Sequence, residues 1–229
     1  MKQENWYDVD TARGGDFSLS NAFPILMRKV FVWMTLALAI TGITAYGVAS
    51  SPALVGMIFS SKVMFWGLII AEFGLVMAIS GAINRLSLAT ATLLFILYSV
   101  VNGATLSVIF LAYSTTVIAK TFFITAGTFG AMALVGYTTK TDLTSIGKLL
   151  FMALIGIIIA SVVNIFVGSS GLDLIISYVG VLVFVGLTAY DTQKIKEMCR
   201  MAPDAGESMQ KLALLGSLSL YLDFINLFL

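Results

Sequence analysis

The chain has 229 residues, of which 59% are hydrophobic and 11% charged, and its formal net charge is +1. A soluble domain carries roughly 25% charged residues, so charge this sparse cannot cover a water-facing surface around so much apolar area. Lipid is the implied solvent. The near-zero balance gives no electrostatic case for nucleic acid, and the absence of histidine removes the usual general base, pH switch and metal ligand.

Residues 1–27 form a short polar segment of mixed charge, without the apolar core of a signal peptide. A membrane-crossing helix needs roughly 20 mainly apolar residues. Seven stretches qualify, at about 29–49, 63–83, 87–111, 117–138, 149–168, 173–193 and 210–229. The first is too long for a signal core and reads as a retained anchor, ended by Ser50-Ser51-Pro52. The second carries Gly67, Ala71, Gly74, Ala78 and Gly81 at spacings of four and three. Such a stripe of small residues is expected to pack closely against a neighbouring helix.

Asn84-Arg85 separates the second and third stretches, and Tyr113-Ser114-Thr115-Thr116 the third and fourth. Thr138 to Lys148 is polar, and Gly168-Ser169-Ser170-Gly171 is a turn signal. Lys194 to Lys211 is the longest charged stretch and is expected as the loop before the last helix. Cys199, the only cysteine, is placed there as a free cytoplasmic thiol. No strict repeat or separate soluble domain is visible. Residues 28–229 therefore read as one all-α domain, an integral membrane bundle of seven transmembrane helices.

Lysine and arginine set the orientation of such a bundle. With the N-terminus in the cytoplasm, all but Lys62 and Lys120 of the 13 basic residues fall on the cytoplasmic side. Seven spans then put the C-terminus outside.

Charges inside the spans carry the functional signal. A carboxylate at the bilayer centre costs about 2.5–3.5 kcal/mol on insertion scales. Glu72, Asp191 and Asp223 lie within predicted spans. Glu72, near the middle of the second, lines a path or is a protonated structural group. Asp191 sits near the cytoplasmic end of the sixth, where the alternative is a helix-end pair with Lys194 at i+3. Asp223 has no basic residue within ten positions, and Ser219 and Asn226 share its helical face. That face is expected to point into the bundle. Arg85 closes the second helix at the end where the sixth also finishes, so it is placed to meet Asp191, or serves as a positive-inside anchor.

The segments Ala189-Tyr-Asp-Thr-Gln193 and Ser217-Leu-Ser-Leu-Tyr-Leu-Asp-Phe-Ile-Asn-Leu-Phe228, with Asn102-Gly-Ala-Thr-Leu-Ser107 in the third span, resemble the transmembrane Bax inhibitor motif family. The resemblance covers nearly everything after Ala22 and is closer to bacterial than to animal members. It implies a multi-pass protein of the bacterial inner membrane with its seventh helix central. It also implies a calcium-leak channel whose conductance responds to pH, sensed by the aspartate pair that Asp191 and Asp223 match. Arg85 matches the family's latching arginine, and Glu72 an acidic position of some relatives. Relatives usually continue beyond the point matched by Leu229, which implies an incomplete seventh helix, and the Lys194–Lys211 loop is longer than theirs.

Two carboxyls at short range in low dielectric cannot both ionise cheaply, so such a pair shares a proton. Arg85 would stabilise the doubly ionised form and hold the second helix against the sixth and seventh. Calcium takes 6–8 oxygen ligands, so two carboxylates bind it weakly, as suits a leak. Depth sets a condition on the pair. Asp223 lies about 20 Å along a helix that starts near Gln210, at 1.5 Å per residue, whereas Asp191 lies near the end of the sixth span. They meet only if the seventh helix is offset or the sixth runs past the bilayer. The rival readings are a proton-coupled transporter and a non-conducting regulator that binds other membrane proteins. No cofactor is expected and an enzyme is disfavoured, since no His-Glu-x-x-His or Gly-x-Ser-x-Gly motif is present. The seventh span also lacks the interior lysine of a retinal protein.

Overall fold

A computed structural model describes residues 6–229, with side chains from Ala22 onward. The expected polar segment 1–27 therefore lies partly outside the described residues. Among the described residues all regular structure is helical. The helices are α1 (Trp6–Ala49), α2 (Pro52–Phe59), α3 (Lys62–Ala82), α4 (Leu88–Leu106), α5 (Val108–Ala112), α6 (Thr115–Thr138), α7 (Thr144–Val167), α8 (Ser170–Arg200) and α9 (Glu207–Phe228). Among the described residues seven spans are long and apolar enough to cross a membrane, the first being Ala22–Ala49 of α1 and the third α4 with α5. The chain folds as an all-α integral membrane bundle.

The helix starts follow from single serines. Ser51, Ser61, Ser87, Ser114 and Ser169 each accept the N–H of the residue three positions on. Each satisfies a backbone donor that lipid could not. Asp142 serves the start of α7 by accepting the Thr144 hydroxyl and N–H, which together hold its carboxyl below its ordinary value. Gly168, at φ 66°, turns the chain out of α7.

The third span is interrupted at Ser107. Its N–H bonds the Ala104 carbonyl three residues back at 3.4 Å, and its hydroxyl bonds the same carbonyl at 2.7 Å. This tightening divides α4 from α5, and no proline or glycine at the break announces it.

In the last span, α9, 61% of the apolar window is buried, against 6% in the windows of α3 and α7. It packs on α1, α4, α6 and α8. Close crossings are made by glycines with no room for a side chain. A Cβ on Gly103 of α4 would fall 2.6 Å from the Thr41 carbonyl of α1, and one on Gly136 of α6 would fall on the Ala189 carbonyl of α8.

The small-residue stripe behaves differently. Gly67, Ala71, Gly74, Ala78 and Gly81 are not packed against a neighbour, and a Cβ on any of the three glycines would meet nothing within 4 Å. The packed face of α3 is the opposite one, where Glu72, Val76, Ile79 and Ile83 recur at helical spacing. Small residues permit close approach but supply little packing attraction, so the larger side chains took the interface.

The charged stretch before the last span is also not a loop. α8 continues through Lys194 to Arg200, nine residues beyond Asp191, and only 201–206 separate it from α9. Cys199 accordingly lies in the last turn of α8 and is buried, at 2% exposure. Lys196 explains why so polar a segment stays helical. It is buried, and its ammonium bonds the Tyr137 carbonyl of α6 at 2.9 Å.

Loops meet at one end of the bundle. Lys29 donates to the Gln210 side chain at 2.6 Å, and Lys211 donates to the Leu86 carbonyl at 3.0 Å. Gln193 bonds the Thr141 carbonyl at 2.8 Å. Arg85 and Lys140, in the α3–α4 and α6–α7 connections, and Lys211 at the start of α9 therefore lie at the same end of the bundle as Lys29.

Candidate functional site

The extension of α8 brings the two aspartates together. α8 and α9 run antiparallel, with Ile195 seated on Gly216. This pairing sets Asp191 and Asp223 side by side, their carboxyls within hydrogen-bonding reach of one another. Asp223 is 5% exposed, and its Oδ2 is buried with no partner among the described residues. Asp191 is interior to a helix that runs nine residues past it, and this removes the depth mismatch between the two aspartates.

The pair lines a cleft of about 1060 Å³ bounded by α3, α4, α7, α8 and α9. Glu72, Asn102, Tyr190, Ser219 and Asn226 share its walls. Lys148 and Lys194, both exposed, line it as well, and Lys194 acts on Asp191 by its charge. The Lys194 ammonium lies 5.9 Å from the centre of the Tyr190 ring, one helical turn before it.

Glu72 reaches the cleft from α3, with the Asn102 amide and the Thr105 hydroxyl of α4 facing its carboxyl. Behind Asn102 lies a buried polar chain. The Tyr221 hydroxyl bonds Asn102 Oδ1 at 2.9 Å and contacts Thr41 Oγ1 at 2.7 Å. Thr41 Oγ1 donates to the Ser99 carbonyl at 3.0 Å. The Tyr221 ring is fully buried, with Phe95 and Tyr98 edge-on at 5.9 and 5.6 Å. Tyr221→Phe is expected to cost about 1–3 kcal/mol by leaving the buried Asn102 Oδ1 without its donor, a loss readable as a lower Tm.

One sequence expectation is corrected. Arg85 is exposed in the turn after α3 and forms no ion pair among the described residues. Its neighbour Leu86 is bonded to Lys211, and Asp223 lies twelve residues further along α9, about 18 Å away at 1.5 Å per residue. A guanidinium cannot span that distance, so Arg85 does not meet the pair in this conformation. Arg85→Ala is expected to leave Tm within about 2 °C of the parent, as for a substitution outside the buried network. Asn226 lies on the cleft wall but is exposed there, and its amide donates to the Leu222 carbonyl of its own helix at 2.8 Å. Ser219 is half-buried on the cleft wall.

Lys148, Lys194, Tyr221 and Thr41 were not singled out from the sequence as site residues. For Tyr221 a signal was present, since a phenol in an apolar run needs a partner for its hydroxyl, and Asn102 is a mid-span polar residue that supplies one. Among the described residues no three acidic or sulfur side chains converge as metal ligands.

The chain resembles proteins of several bacteria over most of its length. The inner membrane protein YbhL of Escherichia coli K12 is 50% identical over 204 residues, 89% of this chain and 87% of that protein. A protein of Borreliella burgdorferi is 51% identical over 203 residues, 89% of this chain and 88% of the relative. One of Rickettsia prowazekii is 45% identical over 205 residues, 89% of this chain and 85% of the relative. The sequence pattern of the family described as Inhibitor of apoptosis-promoting Bax1 matches residues 24–229, which spans every helix of the bundle beyond the start of α1. The chain belongs to the Inhibitor of apoptosis-promoting Bax1 family.

Proposed function

We propose that the protein is a pH-sensitive calcium-leak channel of a bacterial inner membrane, with Asp191 and Asp223 as its sensor. The observation that carries this reading is the contact between two carboxyls, one of them buried with an unpartnered oxygen, on the wall of a large cleft. In low dielectric such a pair holds one proton between its members. With that proton, one carboxyl donates to the other and ties α8 to α9. Without it, two like charges repel across the same contact, and the helices are biased apart.

Calcium is the cargo on this reading and not a resident cofactor. Two carboxylates leave most of its 6–8 oxygen ligands to carbonyls and water, so binding is weak and the ion can leave. The clustered basic end is assigned to the cytoplasm with the N-terminus, and the C-terminus to the outside. No catalytic role is assigned to any residue.

The test is calcium entry into liposomes that contain the full chain and a calcium dye, at about pH 6, 7 and 8. Entry that exceeds empty liposomes and changes with pH supports the channel. Entry equal to that of empty liposomes, with the protein folded and inserted, overturns it. A proton-coupled transporter is the second reading, favoured by the interruption of the third span at Ser107, since broken helices recur in transporter sites. Counterflow of a solute against protons would select it over passive leak.

A further inference from the structure

The buried chain behind the cleft has a hydrogen-counting problem. It contains three contacts: Thr41 to the Ser99 carbonyl, Thr41 to Tyr221, and Tyr221 to Asn102. With Asn102 Oδ1 toward Tyr221, both ends are acceptors, and only two hydroxyl hydrogens serve three contacts. One link must then go unmade, although Thr41 and Tyr221 stand 2.7 Å apart. A second anomaly lies next door. Glu72 Oε1 is buried with no partner among the described residues.

Both problems vanish under one change. The oxygen and nitrogen of an asparagine amide are assigned from its bonds, not seen directly. Turned over, Asn102 Nδ2 donates to the Tyr221 oxygen, Tyr221 donates to Thr41, and Thr41 donates to the Ser99 carbonyl. Every contact then has its hydrogen. Asn102 Oδ1 now faces Glu72, and an acceptor facing a carboxyl needs a hydrogen from it.

We propose that Glu72 is a second proton-binding site of the cleft, whose proton, passed as a hydrogen bond to Asn102, sets the direction of the chain that ties α9 to α1 and α4. The site is separate from the aspartate pair and does not depend on the channel reading. Loss of the proton turns Asn102 back; Tyr221 then donates to Asn102, and the single Thr41 hydrogen is divided between Tyr221 and the Ser99 carbonyl, which weakens the tie of α1 to α9. Glu72 would thus report to a helix it does not touch. The ionisable groups facing Glu72 are Tyr98 of α4 and Tyr221 of α9, while Asp191, Asp223, Lys148 and Lys194 line the same cleft.

Infrared spectroscopy of the full chain in lipid vesicles at neutral pH tests this. The glutamates are Glu4, Glu72, Glu197 and Glu207. Uniform [¹³C]glutamate labelling of the unaltered protein is expected to move one protonated-carboxyl C=O band. That band should vanish in Glu72→Gln and persist in the Asp191→Asn/Asp223→Asn double variant. No label-sensitive protonated band, or one that survives Glu72→Gln, overturns the proposal, whatever the flux assay gives. The band of the labelled parent is readable even if the variants fail to fold. The chain itself is tested by Glu72→Ala and Thr41→Val, each expected to lower Tm by about 2–4 °C. Their combination should lower it by clearly less than the sum, because either change alone breaks the same chain. Additive shifts would overturn the coupling.

Discussion

Gly136→Val is expected to abolish accumulation of the folded protein or to lower its Tm by more than Tyr221→Phe, Glu72→Ala or Thr41→Val does. The site of the added Cβ is occupied by the Ala189 carbonyl, which is backbone and cannot rotate away. Relief requires α6 and α8 to separate, and α8 carries Asp191 two residues beyond the crossing. Overpacking typically costs about 1–3 kcal/mol where side chains can yield, and more is expected where they cannot. Against a total stability of roughly 5–15 kcal/mol, that is a large share. Gly67→Val is the matched control. Its new side chain meets open space, and its effect should stay within about 0.5 kcal/mol. Thermal unfolding followed by size-exclusion of fluorescent fusions reads both. Equal stability of the two variants would mean that α6 and α8 do not cross at this glycine.

Asp223→Asn is expected to flatten the pH response of calcium entry, and the Asp191→Asn/Asp223→Asn pair to remove it. Asparagine keeps the size of aspartate and offers an N–H to the neighbouring carboxyl, so the tie between α8 and α9 survives while one titrating group is lost. One proton can change the flux by at most about tenfold per pH unit. The double variant should therefore show the same entry at about pH 6 and 8, within twofold. A double variant that keeps the parental pH profile would move the sensor elsewhere, and Glu72 is the next carboxyl on the same wall. A double variant that folds but gives no entry at any pH would make the carboxylates part of the conduit and not only its sensor.

The seven spans were legible because the bilayer imposes a length and a composition that few other constraints imitate. The aspartates were legible for the complementary reason: a carboxylate in an apolar run has no cheap explanation. What escaped the sequence lies where helix and loop have similar composition. Lys194 to Arg200 is polar yet continues α8, and nothing in its residues separates that from a loop. Only the depth mismatch between Asp191 and Asp223 hinted at the extension. The stripe on α3 was legible as a pattern but not as a direction, since lipid and a neighbouring helix can both accept small residues. Arg85 shows the limit of topology. Being at the same end as the α8–α9 connection is not being near Asp223, because twelve residues of α9 intervene. Tyr221 was visible only as a residue of a familiar segment; its partners Thr41 and Asn102 lie far away in sequence, and pairing them takes a fold.

The thin attachment of α3 has a kinetic consequence. It packs on α4 and on the short α2, and contributes little else to the body of the bundle. Elements with few buried contacts open first, in local excursions that leave the rest intact. α3 and α7 should therefore be the fastest-exchanging spans in a hydrogen–deuterium experiment, with α9 the slowest. Such an excursion of α3 would carry Glu72 away from Asn102 and widen the cleft without disturbing the α8–α9 contact. The bundle thus has a hinged wall and a fixed one, and its carboxyls are divided between them.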